Sequence, residues 1–296
     1  MLEPKLIHFT TKDNLELPGL LFHAAKSTKA AIFLHGNGSS SVFYGKGRAE
    51  YAEELAKKGV SLLSFNNRGA HYITKLEIQD TDDDQLFGMA YEIIKDCIQD
   101  IDAAVLFLKQ QGFNEFYLIG ESTGANKICI YHFYKPENPI SKYVLLGGGD
   151  DVGIYYDMYG PEKFWPLLEK ARQQIKKGNG QDIICELLPG EIFSYKGFFD
   201  IANPDGDYNV FPFYEVLRKT MLSRKQELFK MYKSLNKPSL VIYGENDEYA
   251  WGNVSKIIKI LKEYQPQLTY KIIKNADHSF HNHRKKVGKI IAEWLA

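Results

Sequence analysis

Gly120-Glu121-Ser122-Thr123-Gly124 lies between the apolar run Phe116 to Ile119 and the helical stretch Thr123 to Phe133. A serine at so tight a strand-to-helix turn adopts a strained backbone. Side chains two residues to either side of it would collide, so both flanks need glycine. The pattern G-x-S-x-G arises by chance in about one chain in ten of this length at average Gly and Ser usage. The strand before it and the helix after it set this copy apart from a glycine-rich bend, and together they describe a nucleophile elbow.

The elbow is one step in a longer alternation. Upstream, Lys5 to Thr10 and Leu15 to Phe22 flank the polar break Thr11-Lys12-Asp13-Asn14 and predict an antiparallel hairpin. Ala30 to Leu34 predicts a strand opening into His35-Gly36-Asn37-Gly38, a serine-rich loop and a helix from about Gly47 to Lys58. Val60 to Phe65 predicts a buried strand ending in Asn66-Asn67-Arg68-Gly69. The acidic stretch Asp80 to Asp84 reads as a solvated loop rather than a cation site, since no ligand-bearing pattern surrounds it. From Tyr91 to Gln111, Ile94, Cys97, Ile101, Val105 and Leu108 recur at three- and four-residue steps and predict one long amphipathic helix.

Downstream of the elbow, Lys142 to Leu146 predicts a strand closed by Gly147-Gly148-Gly149. Ser239 to Tyr243 and Leu268 to Ile273 predict two more, with helices at Ser255 to Tyr264 and Val287 to Leu295. Strands and helices alternating at these lengths imply an α/β fold with a mostly parallel central sheet covered by helices on both faces. The interval 150–236 breaks the rhythm with Tyr155, Phe164, Trp165, Phe193, Phe198, Phe211 and Tyr214 among its aromatics. It is expected to be a cap (lid) inserted into a core made of 1–149 and 237–296, over the sheet edge where ligands bind. Most of those rings are expected to form the insertion's own core. Any that line the pocket would favour bulky or aromatic substrates.

Composition narrows the function. Thirty-seven basic and thirty-seven acidic residues give a formal charge of zero, so no long-range field attracts nucleic acid or an anionic membrane. Apolar runs such as Ala103 to Leu108 fall far short of the roughly 18 residues that span a bilayer. Met1 to Thr10 lacks a secretory pattern, and Cys97, Cys129 and Cys185 form no CxxC pair. A cytoplasmic protein without a disulfide or zinc framework is expected.

A serine hydroxyl is a weak nucleophile until a base takes its proton, and the base needs an acid to fix its tautomer. Of eight histidines, His278 stands where a loop after the last strand can reach the sheet edge. His281 and His283, beside Arg284, Lys285 and Lys286, read as a solvated basic face rather than a metal trio. Asp247 follows the strand ending at Tyr243 and precedes the histidine by one helix and one strand. Glu245, Glu248 and Asp277 are its alternatives. The oxyanion donors are expected from the backbone amides of Thr123 and Asn37, while His35 reads as a loop-structuring residue. Glu121 could pair with Arg68 and tune the histidine, or the two could form a merely structural ion pair. The chemistry calls for no cofactor and no metal.

With Ser122, Asp247 and His278 in that order, and with His35-Gly36 and Asn67-Arg68-Gly69 in place, the chain resembles the α/β-hydrolase superfamily over nearly its whole length. Ser122-Thr123-Gly124, the Asn-Arg-Gly loop and the segments Tyr195-Lys196 and Gly206-Asp207-Tyr208 are similar to a subgroup that includes fungal siderophore esterases. From that subgroup the chain departs at Glu121, where many relatives carry histidine, and at Gly147 to Asp151. The resemblance implies a serine hydrolase, foremost a carboxylesterase acting on a small or medium-sized, bulky or aromatic ester. A peptidase or amidase of the same fold and a non-catalytic binding protein are the alternatives.

Overall fold

The computed structural model describes residues 2–38, 40–44, 47–79, 81 and 84–296. Asp80, Asp82 and Asp83 of the acidic stretch and Ser39 of the serine-rich loop lie outside the described residues. The chain runs through β1 (Lys5–Thr10), β2 (Glu16–Phe22), β3 (Lys29–Leu34), α1 (Gly47–Ala56), β4 (Val60–Phe65), β5 (Thr74–Glu77), β6 (Asp84–Phe87) and α2 (Cys97–Gln110). It continues with β7 (Glu115–Glu121), α3 (Thr123–Tyr134), β8 (Ile140–Leu146), α4 (Asp151–Lys176), α5 (Tyr195–Ala202), α6 (Phe213–Arg218) and α7 (Lys230–Lys233). The last elements are β9 (Ser239–Gly244), α8 (Val254–Tyr264), β10 (Thr269–Ile273) and α9 (Arg284–Leu295).

The main sheet has the order β1-β2-β4-β3-β7-β8-β9-β10. β1 and β2 pair antiparallel, β2 joins β4 antiparallel, and every later pairing is parallel. The central strands β3 and β4 are buried along almost their whole length, as a parallel sheet with two covered faces requires. On one face α1 and α9 supply Tyr51, Leu55, Val287 and Ile291. On the other, α2, α3 and α8 supply Ile101, Leu108, Ile128, Ile257 and Leu261. The chain leaves β3 toward β4 on one side and returns to β7 on the other, so the strand order reverses between β3 and β7. A crevice opens there at the carboxyl edge, and the register Leu34↔Gly120 puts the loop after β3 beside the elbow after β7.

Two expectations change. The predicted helix 91–111 begins only at Cys97, after single turns at Met89–Tyr91 and Ile94–Asp96. Tertiary pairing overrides its periodicity: the Glu92 carboxylate is held by Lys127 and Tyr208, and the Ile94 amide donates to Asp200 at 2.8 Å. The stretch after Arg68, without predicted strands, contains the two-stranded β5–β6 ribbon, with Thr74 opposite Phe87.

Between β8 and β9 the chain makes α4 to α7. α4 breaks at Gly160 (φ 67°, ψ 162°) ahead of Pro161. Its rings pack on one another, as in Tyr156–Phe164 at 5.2 Å and Phe193–Phe198 at 5.9 Å between centroids, and they join the core under α2 and α3. Among the described residues, no helix is long and apolar enough to cross a membrane.

Candidate active site

Ser122 occupies the turn between β7 and α3 with φ 56° and ψ −127°, a conformation costing a non-glycine residue about 1–3 kcal/mol. The turn is held by Ser122 N–H donating to the Leu146 carbonyl and Ala125 N–H to the Ser122 carbonyl, each at 2.8 Å. A Cβ on Gly120 would overlap the Gly124 carbonyl, and one on Gly124 would overlap the Leu34 carbonyl. The crowding that the motif implied is therefore present. Gly36 continues the theme: a Cβ there would lie 2.8 Å from the Ser122 Cβ.

β9 and β10 end on the same edge. Asp247, in the turn after β9, accepts at Oδ1 from His278 Nδ1 at 2.9 Å and from the Tyr249 amide at 3.0 Å. The Tyr249 ring stands edge-on to the imidazole, 4.7 Å between centroids. His278 is only 6 % exposed, and among the described residues its Nε2 has no hydrogen-bond partner, nor has Asp247 Oδ2. Burial opposes the charged imidazolium. The hydrogen bond and charge of Asp247, with Glu121 and Glu248 behind them, outweigh it and raise the His278 pKa above 6.5.

Ser122 and His278 line one cavity of about 380 Å³ together with Asn37 and Thr123. The serine–histidine hydrogen bond is open, since Nε2 is unpartnered. Neither the Asn37 nor the Thr123 amide donates a hydrogen bond to another described residue, which leaves both free beside Ser122. The structure thus brings together all five residues expected at the site.

The alternatives have other work. Glu248 accepts from the His278 amide at 3.1 Å, Glu245 from the Asn275 amide at 2.9 Å, and Asp277 meets His281 at 2.7 Å. His35 is buried and uncharged. Its Nε2 accepts from the Asn67 amide at 3.2 Å, so Nδ1–H donates to the Gly36 carbonyl at 2.7 Å. Burial, helped by Lys127, pulls its pKa down to about 3. His281, Lys285 and Lys286 are exposed, and among the described residues no three His, Cys, Asp or Glu side chains are grouped to hold a metal ion.

One sequence expectation needs correction. Glu121 pairs with Arg48 of α1 at 2.8 Å, not with Arg68, whose guanidinium is taken by Asp100 at 2.7 Å and Asp13 at 2.9 Å. Arg68 follows β4 and faces α2 and the hairpin turn, whereas Glu121 ends β7 and faces α1. Of the insertion's aromatics, only Tyr155 lines the cavity. The wall is rich in charge, with Arg48, Glu121, Asp151, Glu191 and Glu248, of which Arg48 and Glu191 carry no motif that sequence reading could single out. Asp151 had a signal in the unusual Gly147 to Asp151 strand end, Glu121 in the elbow and Glu248 in the turn after Tyr243.

The sheet, its order reversal and the elbow define an α/β-hydrolase fold. The chain is similar to Est1E from Butyrivibrio proteoclasticus at 13% identity and TM-score 0.61, covering 98% of this chain and 97% of that one. It is also similar to the Pyrococcus furiosus esterase Pf2001 (20%, TM-score 0.57, 99% and 92% covered) and to the α/β hydrolase GrgF from Penicillium sp. sh18 (17%, TM-score 0.60, 99% and 97%). At such identities the likeness establishes the fold. No curated protein matches the chain by sequence. Residues 87–295 match the family described as protein of unknown function (DUF1749), and the chain belongs to that family.

Proposed function

We propose that the chain is a serine hydrolase that cleaves carboxylic esters through an acyl-enzyme, with segment 150–236 acting as its cap. The observation that carries this reading is the unpartnered, buried Nε2 of an Asp247-held histidine in the cavity that holds the strained Ser122. His278 Nε2 takes the proton as Ser122 Oγ attacks the ester carbonyl. The Asn37 and Thr123 amides bind the oxyanion, and Asp247 steadies the imidazolium. The carbon–oxygen bond to the alcohol then breaks, and His278 returns the proton to the leaving alkoxide. Water, deprotonated by the same nitrogen, releases the acid and restores the serine. A small-molecule ester is the partner, and the free thiols Cys97, Cys129 and Cys185 favour a cytoplasmic setting.

The test is labelling by a fluorophosphonate together with turnover of an aryl ester. The native protein is expected to do both and Ser122→Ala neither. Equal labelling of the two proteins would overturn the proposal.

A further inference from the structure

The cavity wall carries more negative charge than acyl transfer uses. Among the described residues that line it, Arg48 is the one permanently cationic side chain, and Glu121 already engages it at 2.8 Å. Asp151 from the first turn of α4, Glu191 from the loop before α5 and Glu248 after β9 remain without a lining counter-cation. Burial, reinforced by Asp150, pushes the Asp151 carboxyl up to about 7, and burial also raises Glu191. Such carboxyls gain most from a cation that replaces the water they have lost.

Resting on the ester-hydrolase reading, we infer that this cavity selects esters bearing a protonated amine, with the ammonium held by Asp151 and Glu191 while the carbonyl lies at Ser122. The buried, unpartnered His278 Nε2 in the same cavity marks it as built to receive a ligand. An anionic ester would face the same carboxylates without compensation.

The experiment compares p-nitrophenyl 6-aminohexanoate, p-nitrophenyl hexanoate and the mono-p-nitrophenyl ester of adipic acid, matched in length and differing in charge. The expected kcat/KM for the amine exceeds that for the neutral ester by about ten- to a hundred-fold, the range of one or two charge-assisted hydrogen bonds, with the adipate ester slowest. Glu191→Gln and Asp151→Asn, each shown folded by its Tm, are expected to move the amine-to-neutral ratio toward one, chiefly through KM. Equal kcat/KM for all three esters in the native protein, or an unchanged ratio in both variants, would overturn the inference. Fluorophosphonate labelling of Ser122 separates the cases. A labelled enzyme without charge preference sinks the selectivity alone, whereas no labelling and no turnover sinks the hydrolase reading with it.

Discussion

Two groups of buried ionic side chains in this molecule are finished differently. Arg68 satisfies Nε, Nη1 and Nη2 with Asp100 and Asp13, and Lys127 closes on Glu92, whose other oxygen accepts from Tyr208. The Asp247–His278 pair is just as buried, yet one oxygen and one nitrogen have no partner. A buried polar atom left unmade costs roughly 1–3 kcal/mol, and in this pair both such atoms belong to the site proposed for catalysis. The closed groups hold the fold together, and the open pair is where we propose the chemistry takes place.

The contrast breaks first at the open pair. His278→Ala is expected to reduce ester turnover on the order of 10⁴-fold or more, while the denaturation midpoint stays near that of the native protein. Steady-state kinetics beside a urea titration checks both. At the closed group the pattern inverts. Asp100→Ala leaves Arg68 buried without its main partner and is expected to cost about 3–5 kcal/mol of stability, with activity per folded molecule largely kept. Chemical denaturation measures it, and a loss below about 1 kcal/mol would place Arg68 among ordinary surface pairs.

Smaller effects sharpen the comparison. Ser122→Gly removes both the hydroxyl and the cost of φ 56°, so the protein is expected to gain about 1 kcal/mol while losing turnover, as thermal unfolding and an ester assay would show. The smallest effect concerns pH. As the proposed base, His278 would act only when neutral, and its pKa is raised in the folded protein, so kcat/KM is expected to climb with pH through a midpoint above 6.5. Glu121 is among the charges that raise it. Glu121→Gln removes that charge and leaves Arg48 uncompensated, so the midpoint falls. A midpoint unmoved by the substitution would make the Arg48–Glu121 pair purely structural.

The parts of the site legible in the sequence were those imposed by backbone crowding and chain order. Gly120 and Gly124 announce the elbow because no Cβ fits there, and Asp247 and His278 sit at strand ends that hydrophobic runs mark. Partners chosen in three dimensions were not legible. Nothing local to Glu121 distinguishes Arg48 from Arg68, and nothing in the stripe from Ile94 to Leu108 reveals that Asp200, far along the chain, claims the Ile94 amide ahead of a helix that starts only at Cys97. The charged wall of the cavity is not legible for the same reason. Aromatic residues are conspicuous in the insertion, but their rings pack on each other, while Asp151, Glu191 and Glu248 reach the cavity from separate elements.

The most direct test is to trap the intermediate. The enzyme is mixed with excess p-nitrophenyl ester, quenched within milliseconds and digested, and the peptide containing Ser122 is weighed. A stoichiometric burst of p-nitrophenol with the acyl mass on Ser122 is the predicted result. Turnover without an adduct, or an adduct on another residue, would contradict the account.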